Sequence, residues 1–371
     1  MKIFFLTKRH YMSRDLLKDR YGRFYELPAT LADCGAEVLV SCLSYYNDHD
    51  SNDLRMNERG VAWRSFYAGR NLPLGIYSYY RSLCRSVAEV RPDVIIGASD
   101  SIHMIIAAKL ADRFDLPWCA DLYDNFESYG QMRMPGLKRA YRSAVGAADA
   151  VTVVSGPLRR YVAGTCNPSG RLEILENAVP EGMFLPMDKH LARRELGLPE
   201  TGRLIGTAGS LYRKRGLADL YRAFRQLSER RDDVYLILAG RLDTPLTVPA
   251  HDRILYLGDL TYERTPLLYN ALDVGVICNR NDPFGRYCFP QKLYEMAACQ
   301  IPIIAAAVGA SAELLRDYGE CLYHPGDSAD LQRAVTAQLD AGTCPDVYVP
   351  DWPGQGIRLL RLLCEVTGAG V

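Results

Sequence analysis

The segment that decides the fold is residues 282–317, DPFGRYCFPQKLYEMAACQIPIIAAAVGASAELLRD. It begins with a loop of turn-forming and basic residues and continues into a helical run with apolar residues three and four positions apart. The apolar run at 301–307 predicts a buried strand, and a second helix is expected from Ser311. Lys292 and Glu295 lie on neighbouring sides of the first helix. A loop-to-helix junction with these charges suits a ligand with phosphates and vicinal hydroxyls, although a salt-bridged surface helix gives the same pattern.

The rest of the chain alternates apolar runs with segments of helical periodicity. Continuous apolar runs such as 2–7 and 37–43 are typical of parallel strands that are covered on both faces. The alternation restarts at 203–208, after a connector at 180–199 that contains three prolines. This order predicts an α/β fold with two Rossmann-like domains, each a doubly wound parallel sheet, that face a cleft.

Length and charge set the outer bounds of the protein. A chain of 371 residues exceeds the usual size of one core, so two domains are expected. We expect an N-terminal domain over 1–180, with a C-terminal helix at about 352–371 that packs back on it, and a second domain over 181–351. The 44 basic residues balance 44 acidic ones, which argues against a nucleic-acid-binding protein.

The cysteines and the apolar segments bear on the cellular compartment. The 11 cysteines are scattered singly without any C-x-x-C, which favours free thiols in a reducing compartment. The first apolar run is too short for a signal peptide, and no run of about 18 apolar residues predicts a membrane span. We therefore expect a cytoplasmic protein, with peripheral contact at the inner face of the membrane left open.

Ligands of open parallel sheets bind beyond the carboxyl ends of the strands. All five such loops predicted in the second half contain glycine, and two of them also carry clustered cations. The sequence has no G-x-G-x-x-G between a strand and a helix, no P-loop motif and no paired His and Cys spacing. It therefore predicts neither a dinucleotide cofactor nor a P-loop ATPase nor a metal site.

Several motifs follow one another in an order known from one family. They are ADAVTVVS at 148–155, EILENAV at 173–179, GSL to RG at 209–216, FPQKLYEMAA at 289–298, VGA with Glu313 at 308–313, and PGD at 325–327. Together they resemble a GT-B-fold, family-4-like, retaining bacterial glycosyltransferase. The resemblance covers nearly the whole chain, most strongly from 148 to 335. It implies transfer of a sugar from a UDP- or GDP-sugar to a glycan, lipid-linked or small-molecule acceptor.

The resemblance also implies roles for individual residues. Glu295 matches the second glutamate of the family's E-x7-E motif, which accepts both ribose hydroxyls of the nucleotide. Arg215 stands at the lysine of the family's "K-G" pair and is expected to face the donor diphosphate, with Lys292 as a second cation. We group these two cations with His103 as catalytic candidates. The other donor-binding candidates are Gly209, Ser210, Gly309, Ala310, Tyr287 and Arg286.

The chain departs from the family pattern at the first glutamate of E-x7-E. Tyr287 occupies that position, and Asp282, which looks similar, lies five residues too early. Recognition of the donor sugar therefore needs another group.

A second departure is Ser210, which replaces the arginine of the family's "G-R-L". Arg213 or Lys214 is the alternative source of that positive charge. The family's N-terminal Gly-Gly loop is also absent, and Gly22 is the nearest glycine.

The first half is expected to bind the acceptor. His103 opens a helix after a strand, where relatives place a histidine near the donor sugar, although a capping or merely polar histidine fits equally well. Asp121 and Asp124 follow a strand end, where they either orient an acceptor hydroxyl or cap the next helix. Tyr77, Tyr79, Tyr80 and the basic segment 132–142 are candidates for contact with sugars or an anionic membrane, with amphipathic packing as the simpler explanation.

The sequence thus predicts a metal-independent, retaining hexosyltransferase without a cofactor, acting in polysaccharide or glycoconjugate biosynthesis. Two alternatives stay open. One is a sugar-nucleotide epimerase of the same fold, and the other is a non-catalytic GT-B-like partner protein.

Overall fold

The computed structural model describes residues 1–12, 14–46, 55–212, 215–242 and 247–369. The chain divides into two compact units. One is formed by Met1–Asn177 together with Trp352–Val371, and the other by Ala178–Asp351. Each unit is built around a mostly parallel sheet whose strands are joined by helices, and this confirms the predicted α/β fold with two Rossmann-like domains.

The elements of the first unit follow the predicted alternation closely. Its strands are β1 (Lys2–Lys8), β2 (His10–Tyr11), β3 (Arg14–Asp15), β4 (Glu37–Ser44), β5 (Arg55–Glu58), β6 (Val61–Tyr67), β7 (Val94–Ala98), β8 (Trp118–Leu122), β9 (Ala150–Val153) and β10 (Arg171–Ile174). Its helices up to β10 are α1 (Leu16–Asp19), α2 (Arg23–Asp33), α3 (Leu72–Val90), α4 (Ser101–Phe114), α5 (Leu137–Gly146) and α6 (Gly156–Cys166).

Eight strands of this unit form one large sheet in the order β10-β9-β8-β7-β1-β4-β6-β5. All neighbours run parallel except β5 and β6. The central strand β1 places Ile3 between Val38 of β4 and Val94 of β7, and β7 and β8 are buried along their whole length. Continuous apolar runs form these strands because helical crossovers leave little of either face in water.

The segment after β1 forms a short hairpin and a helix. β2 and β3 pair as a short antiparallel hairpin around Met12, and α1 follows directly. Arg9 is fully buried and its Nη2 lies 2.8 Å from Asp15 Oδ2, while Asp15 Oδ1 accepts from the backbone N–H of Leu17 at 3.0 Å. The hairpin is held by this buried pair, which periodicity does not reveal.

The second unit repeats the α/β pattern. Its strands are β11 (Arg203–Ala208), β12 (Val234–Ala239), β13 (Ile254–Tyr256), β14 (Val274–Ile277), β15 (Ile303–Ala306) and β16 (Leu322–Tyr323). Its helices are α7 (Lys189–Glu195), α8 (Leu217–Ser228), α9 (Thr265–Ala271), α10 (Pro283–Tyr287), α11 (Gln291–Ala298), α12 (Gly309–Leu314) and α13 (Ser328–Ala341). Its described strands form a parallel sheet in the order β13-β12-β11-β14-β15-β16.

The connector at 180–199 is part of the second unit, because Phe184, Ala192 of α7 and Leu198 belong to the buried core of that unit. Two sequence predictions about this unit need correction. The predicted loop at 282–286 folds as α10, because the Asp282 side chain accepts from the backbone N–H of Gly285 at 2.9 Å and Pro283 follows at the first helical position. The next helix, α12, begins at Gly309 rather than Ser311.

The helix α14 (Trp352–Thr367) follows the second unit in the chain but belongs to the first. It packs on α2 so closely that a Cβ atom on Gly356 would lie 2.5 Å from the Thr30 hydroxyl oxygen. Arg358 also donates to the carbonyl of Ile174, at the end of β10, at 2.6 Å. Across the described ranges, none of the helices combines the length and the hydropathy needed to cross a bilayer.

Candidate active site

The carboxyl ends of β11 and β12 form an open floor made of backbone. Gly209 follows β11 and Gly240 follows β12, and both have positive φ values, of 95° and 118°. A Cβ atom on Gly240 would lie 2.0 Å from the Gly209 carbonyl oxygen, so only glycine allows this approach. Ser210 is half-buried beside this floor. Ligands of parallel α/β sheets bind at this edge.

Two cations reach this floor from different elements. Lys292 of α11 points its ammonium back over β11, where it donates to the Thr207 hydroxyl at 3.3 Å and lies 4.0 Å from the Cβ position of Gly209. Arg215, just before α8, places its guanidinium over the rings of Tyr212 and Phe284, at 5.7 and 5.2 Å from the ring centroids. Burial of Lys292 and then the charge of Arg215 lower the pKa of Lys292 to about 8.

These two cations lack a carboxylate partner within the described parts of the chain. No described Asp or Glu forms an ion pair with Arg215 or Lys292, and none of the described residues supplies a hydrogen-bond acceptor to the buried Nε of Arg215. Two close positive charges without a counter-ion are unfavourable in the free protein. An anion with several oxygens would relieve this repulsion, so the arrangement fits a diphosphate.

The carboxylate of Glu295, one turn along α11 from Lys292, is held by two tyrosines. Glu295 is only 5% exposed, and Tyr262 donates to its Oε1 at 3.2 Å while Tyr269 donates to its Oε2 at 2.9 Å. Burial raises the pKa of Glu295, and the two hydroxyls and the charge of Lys292 oppose that rise. A carboxylate has about four acceptor positions, so two remain for a pair of ligand hydroxyls.

The other donor-side candidates take different positions. Gly309, with a φ of 58°, opens α12 directly against α10, since a Cβ atom there would lie 2.5 Å from the Gly285 carbonyl oxygen. Ala310 is buried in the first turn of α12. Arg286 is exposed, and its Nε donates to the Asn281 side chain at 2.7 Å. Tyr287, at the position of the missing glutamate, is half-buried at the end of α10.

The structure thus brings Gly209, Arg215, Lys292 and Glu295 to one edge of the second sheet, whereas the described side-chain contact of Arg286 is with Asn281. Arg213 and Lys214, the alternative phosphate ligands, lie outside the described residues. The tyrosines that hold Glu295 were not predicted. They precede it by 33 and 26 positions, and no local motif marks them.

In the first unit, His103 is fully buried in the first turn of α4. Its Nδ1 lies 2.7 Å from Asp100 Oδ1, and its Nε2 has no partner among the described side chains. Asp100, not His103, is the cap of α4, since it accepts from the backbone N–H groups of Ile102 and His103 at 3.0 Å. Burial acts to raise the pKa of Asp100, but His103 and Lys8 outweigh it and lower this pKa to about 2. Asp100 therefore stays ionised at neutral pH and presents a carboxylate oxygen to Nδ1 of His103.

Asp121 has a structural role that the sequence interpretation missed. It is fully buried on β8, where its Oδ2 accepts from Arg23 Nε at 2.8 Å and its Oδ1 accepts from the Thr152 hydroxyl at 2.6 Å. Arg23 Nη1 also donates to the carbonyls of Leu175 and Glu176, at 3.0 and 3.2 Å. Asp121 is therefore unavailable to an acceptor hydroxyl, and it ties α2, β8, β9 and the end of the first unit together.

Asp124 and Gly22 also serve local structure. Asp124 is buried, and its carboxylate accepts from the backbone N–H of Asn125 at 2.7 Å and from the Tyr129 hydroxyl at 2.6 Å. Gly22, with a φ of 77°, caps α2 where a Cβ atom would lie 2.8 Å from the Tyr11 ring. Tyr79 is buried too, and its hydroxyl donates to the Ser41 carbonyl at 2.9 Å.

Other residues of the first unit stay on the surface. Leu74 and Tyr77 of α3 are 64% and 60% exposed, and Met134, before α5, is 62% exposed. In the basic segment, Lys138 and Arg142 pair with the side chain of Glu127, at 2.8 and 2.7 Å. Arg133 and Arg139 are exposed, and neither forms an ion pair with a described carboxylate.

Two family models match the chain, each over one unit. The model described as "Glycosyl transferase 4-like domain" matches residues 23–178, and the one described as "Glycosyl transferases group 1" matches residues 202–341. A D-inositol 3-phosphate glycosyltransferase from Salinispora tropica is 30% identical over 169 residues, which are 40% of this chain and 34% of that protein. The chain thus matches about a third of the length of this curated relative.

Solved structures share the fold over the full chain. Sucrose-phosphate synthase from Thermosynechococcus elongatus superposes with a TM-score of 0.79 at 18% identity, and the match covers 100% of both chains. Anabaena HepE in complex with UDP-glucose gives a TM-score of 0.68 at 17% identity and covers 99% of this chain and 98% of that one. At these identities the likeness establishes the architecture, which is the predicted GT-B fold.

Proposed function

Because the chain belongs to the glycosyltransferases of the GT-B fold, we propose that it moves a sugar from a nucleoside diphosphate sugar to an acceptor with retention of configuration. The second unit is the proposed donor-binding domain, and UDP- and GDP-sugars are the proposed donors. The observation that carries this proposal is the pair of cations, Arg215 and Lys292, that face a glycine floor without a described carboxylate partner, next to the buried Glu295.

The proposed donor pose follows from these groups. The diphosphate lies over Gly209 between Arg215 and Lys292, and the ribose hydroxyls donate to Glu295. Gly309 and Ala310 offer backbone N–H groups beside them, and His103 of the first unit is kept as a proposed catalytic residue.

In the proposed reaction the bond from the anomeric carbon to the diphosphate oxygen breaks. The acceptor oxygen forms its bond to the same carbon on the same face, and its proton passes to the departing phosphate. Arg215 and Lys292 stabilise the charge that grows on the leaving nucleoside diphosphate.

The test is calorimetry of the full chain with UDP, GDP, ADP, CDP and dTDP, followed by transfer assays with sugars of the base that binds. We expect one or two of these nucleotides to bind at micromolar concentrations and the matching nucleotide sugar to donate. If no nucleotide binds, a non-catalytic partner protein is favoured instead. Isomerisation of the sugar without an acceptor would favour the epimerase.

A pH prediction follows from Lys292. The pKa of Lys292 is about 8 in the free protein, and the negative charge of a bound diphosphate should raise it. Binding near pH 8 should therefore take up protons. We expect affinity to fall about tenfold between pH 7 and pH 9, with about half a proton taken up at pH 8. Calorimetry in two buffers of different ionisation enthalpy measures this uptake. Lys292→Arg is the control, since arginine stays charged throughout, and an unchanged uptake in that variant would assign the proton to another group.

We also propose that the acceptor is a glycan, a lipid-linked or a small molecule, and that the first unit contacts an anionic membrane surface. The exposed Leu74 and Tyr77 of α3, and the exposed Met134, Arg133 and Arg139 of the basic segment, support this contact, because apolar and cationic side chains favour anionic lipid.

Co-sedimentation tests the proposed membrane contact. The chain should pellet with vesicles that contain anionic lipid and remain in solution with neutral ones. The double variant Leu74→Ser, Tyr77→Ser should weaken pelleting. Tyr348→Ser, which removes a tyrosine that is 80% exposed on the second unit, should not. Equal amounts of protein in the pellet with both kinds of vesicle would contradict the proposed membrane contact.

A further inference from the structure

The hydrogen bonds that Glu295 accepts indicate a specific role for the residues around it. A carboxylate on a helix can rotate about its terminal bond, and the plane it adopts decides where its acceptor lone pairs point. In this protein each oxygen accepts a hydroxyl from a different tyrosine, at 3.2 Å from Tyr262 and at 2.9 Å from Tyr269. Two bonds to separate oxygens fix the carboxylate plane in a way that one bond would not.

The two tyrosines are themselves fixed by the connector that begins the second unit. The ring of Phe184 lies 5.5 Å from that of Tyr262, edge to face, and 6.2 Å from that of Tyr269. Next to Tyr269, the Asn270 side chain donates to the Leu185 carbonyl at 3.0 Å and accepts from the Met187 backbone N–H at 2.8 Å. The two tyrosine hydroxyls that donate to Glu295 are therefore held in place by contacts with the connector.

We propose that Tyr269 and Tyr262 are positioning residues that orient the Glu295 carboxylate so that its two remaining acceptor positions meet the 2′- and 3′-hydroxyls of the ribose. This inference rests on the proposed function, because it requires that Glu295 accepts the ribose diol. Tyr269 is buried, and its bond is the shorter of the two, so it has the larger share in this positioning. Tyr262 is half-buried in the turn before α9 and has the smaller share.

The experiment compares the nucleoside diphosphate that binds most tightly with its 2′,3′-dideoxy analogue, and its readout is the ratio of the two dissociation constants. In the unchanged protein the ratio should be about a hundred or more, since two hydrogen bonds to a charged acceptor are lost. In Tyr269→Phe the ratio should fall to about ten or less, because the carboxylate rotates away from the diol. In Tyr262→Phe it should fall by a smaller factor.

A general loss of structure would weaken both nucleotides alike and leave the ratio unchanged, so the ratio separates positioning from stability. Tyr318→Phe is the matched control, since it removes a hydroxyl that donates to the Asp346 carbonyl at 3.5 Å elsewhere in the unit. Its ratio should equal that of the unchanged protein. If Tyr269→Phe does not fold, Tyr262→Phe carries the test, because its side chain is less buried.

Glu295→Gln distinguishes this inference from the proposed function. If the ratio collapses in Glu295→Gln but stays at the unchanged value in both tyrosine variants, Glu295 binds the ribose without their help and the inference is overturned. If Glu295→Gln itself keeps the full ratio, the ribose assignment fails and the inference fails with it. A ratio that falls in Glu295→Gln and in Tyr269→Phe supports both.

Discussion

Replacing Arg215 with alanine should lower kcat for sugar transfer by about 10²–10³-fold, the largest catalytic effect expected from one side chain of this protein. The guanidinium is held over the rings of Tyr212 and Phe284, and its Nε is buried without an acceptor among the described residues, so it is placed in advance for the leaving diphosphate. The loss should appear in kcat more than in KM, because the phosphate charge that Arg215 stabilises grows as the donor bond breaks.

Steady-state kinetics with the donor identified in the nucleotide panel measure this effect. Arg215→Lys keeps the charge but loses the planar fork, so it should retain about a tenth of the activity. Arg333→Ala is the control, because it removes an exposed arginine whose described partner is Asp330, 2.9 Å away. Activity of Arg215→Ala within about threefold of the unchanged protein would remove Arg215 from the site.

The largest effect on stability is expected from Asp121→Ala. This change leaves the guanidinium of Arg23 buried without its counter-charge, and breaking a buried pair in this way costs about 3–5 kcal/mol of unfolding free energy. The Thr152→Val variant removes only the hydroxyl that donates to Asp121 and should cost about 1 kcal/mol.

Urea denaturation followed by tryptophan fluorescence measures this loss selectively. The protein has 3 tryptophans, Trp63, Trp118 and Trp352, and all belong to the first unit, so the signal reports unfolding of that unit. A loss below about 1 kcal/mol in Asp121→Ala would contradict the structural role and return Asp121 to the list of acceptor ligands.

The elements that could be predicted from the sequence are those that depend on residues close together in the chain. Apolar runs gave β1, β4 and β11 to within a residue, because a strand covered on both faces needs continuous apolar side chains. Asp282 illustrates the limit of such patterns. The turn-forming residues after it predicted a loop, but an aspartate followed by proline is also a helix start, and the structure uses it as one.

The candidate site was predictable only in part. Arg215, Lys292 and Glu295 were named from resemblance to family motifs, and the structure gathers them at one sheet edge. The pairs that decide the environment of each residue are distant in the chain. Arg23 and Asp121 are 98 positions apart, and Tyr262 and Glu295 are 33 apart. No periodicity encodes such pairs, so a buried structural aspartate and an acceptor-binding one look the same in the sequence.

The return of α14 to the first unit affects how the protein folds during synthesis. Ribosomes add about 5–20 residues per second. Synthesis of the second unit therefore takes on the order of ten seconds or more, and α14 is made only after it. Throughout that interval α2 lacks the packing of Gly356 against Thr30. The nascent first unit therefore lacks one of its helices until residues 352–367 have been synthesised.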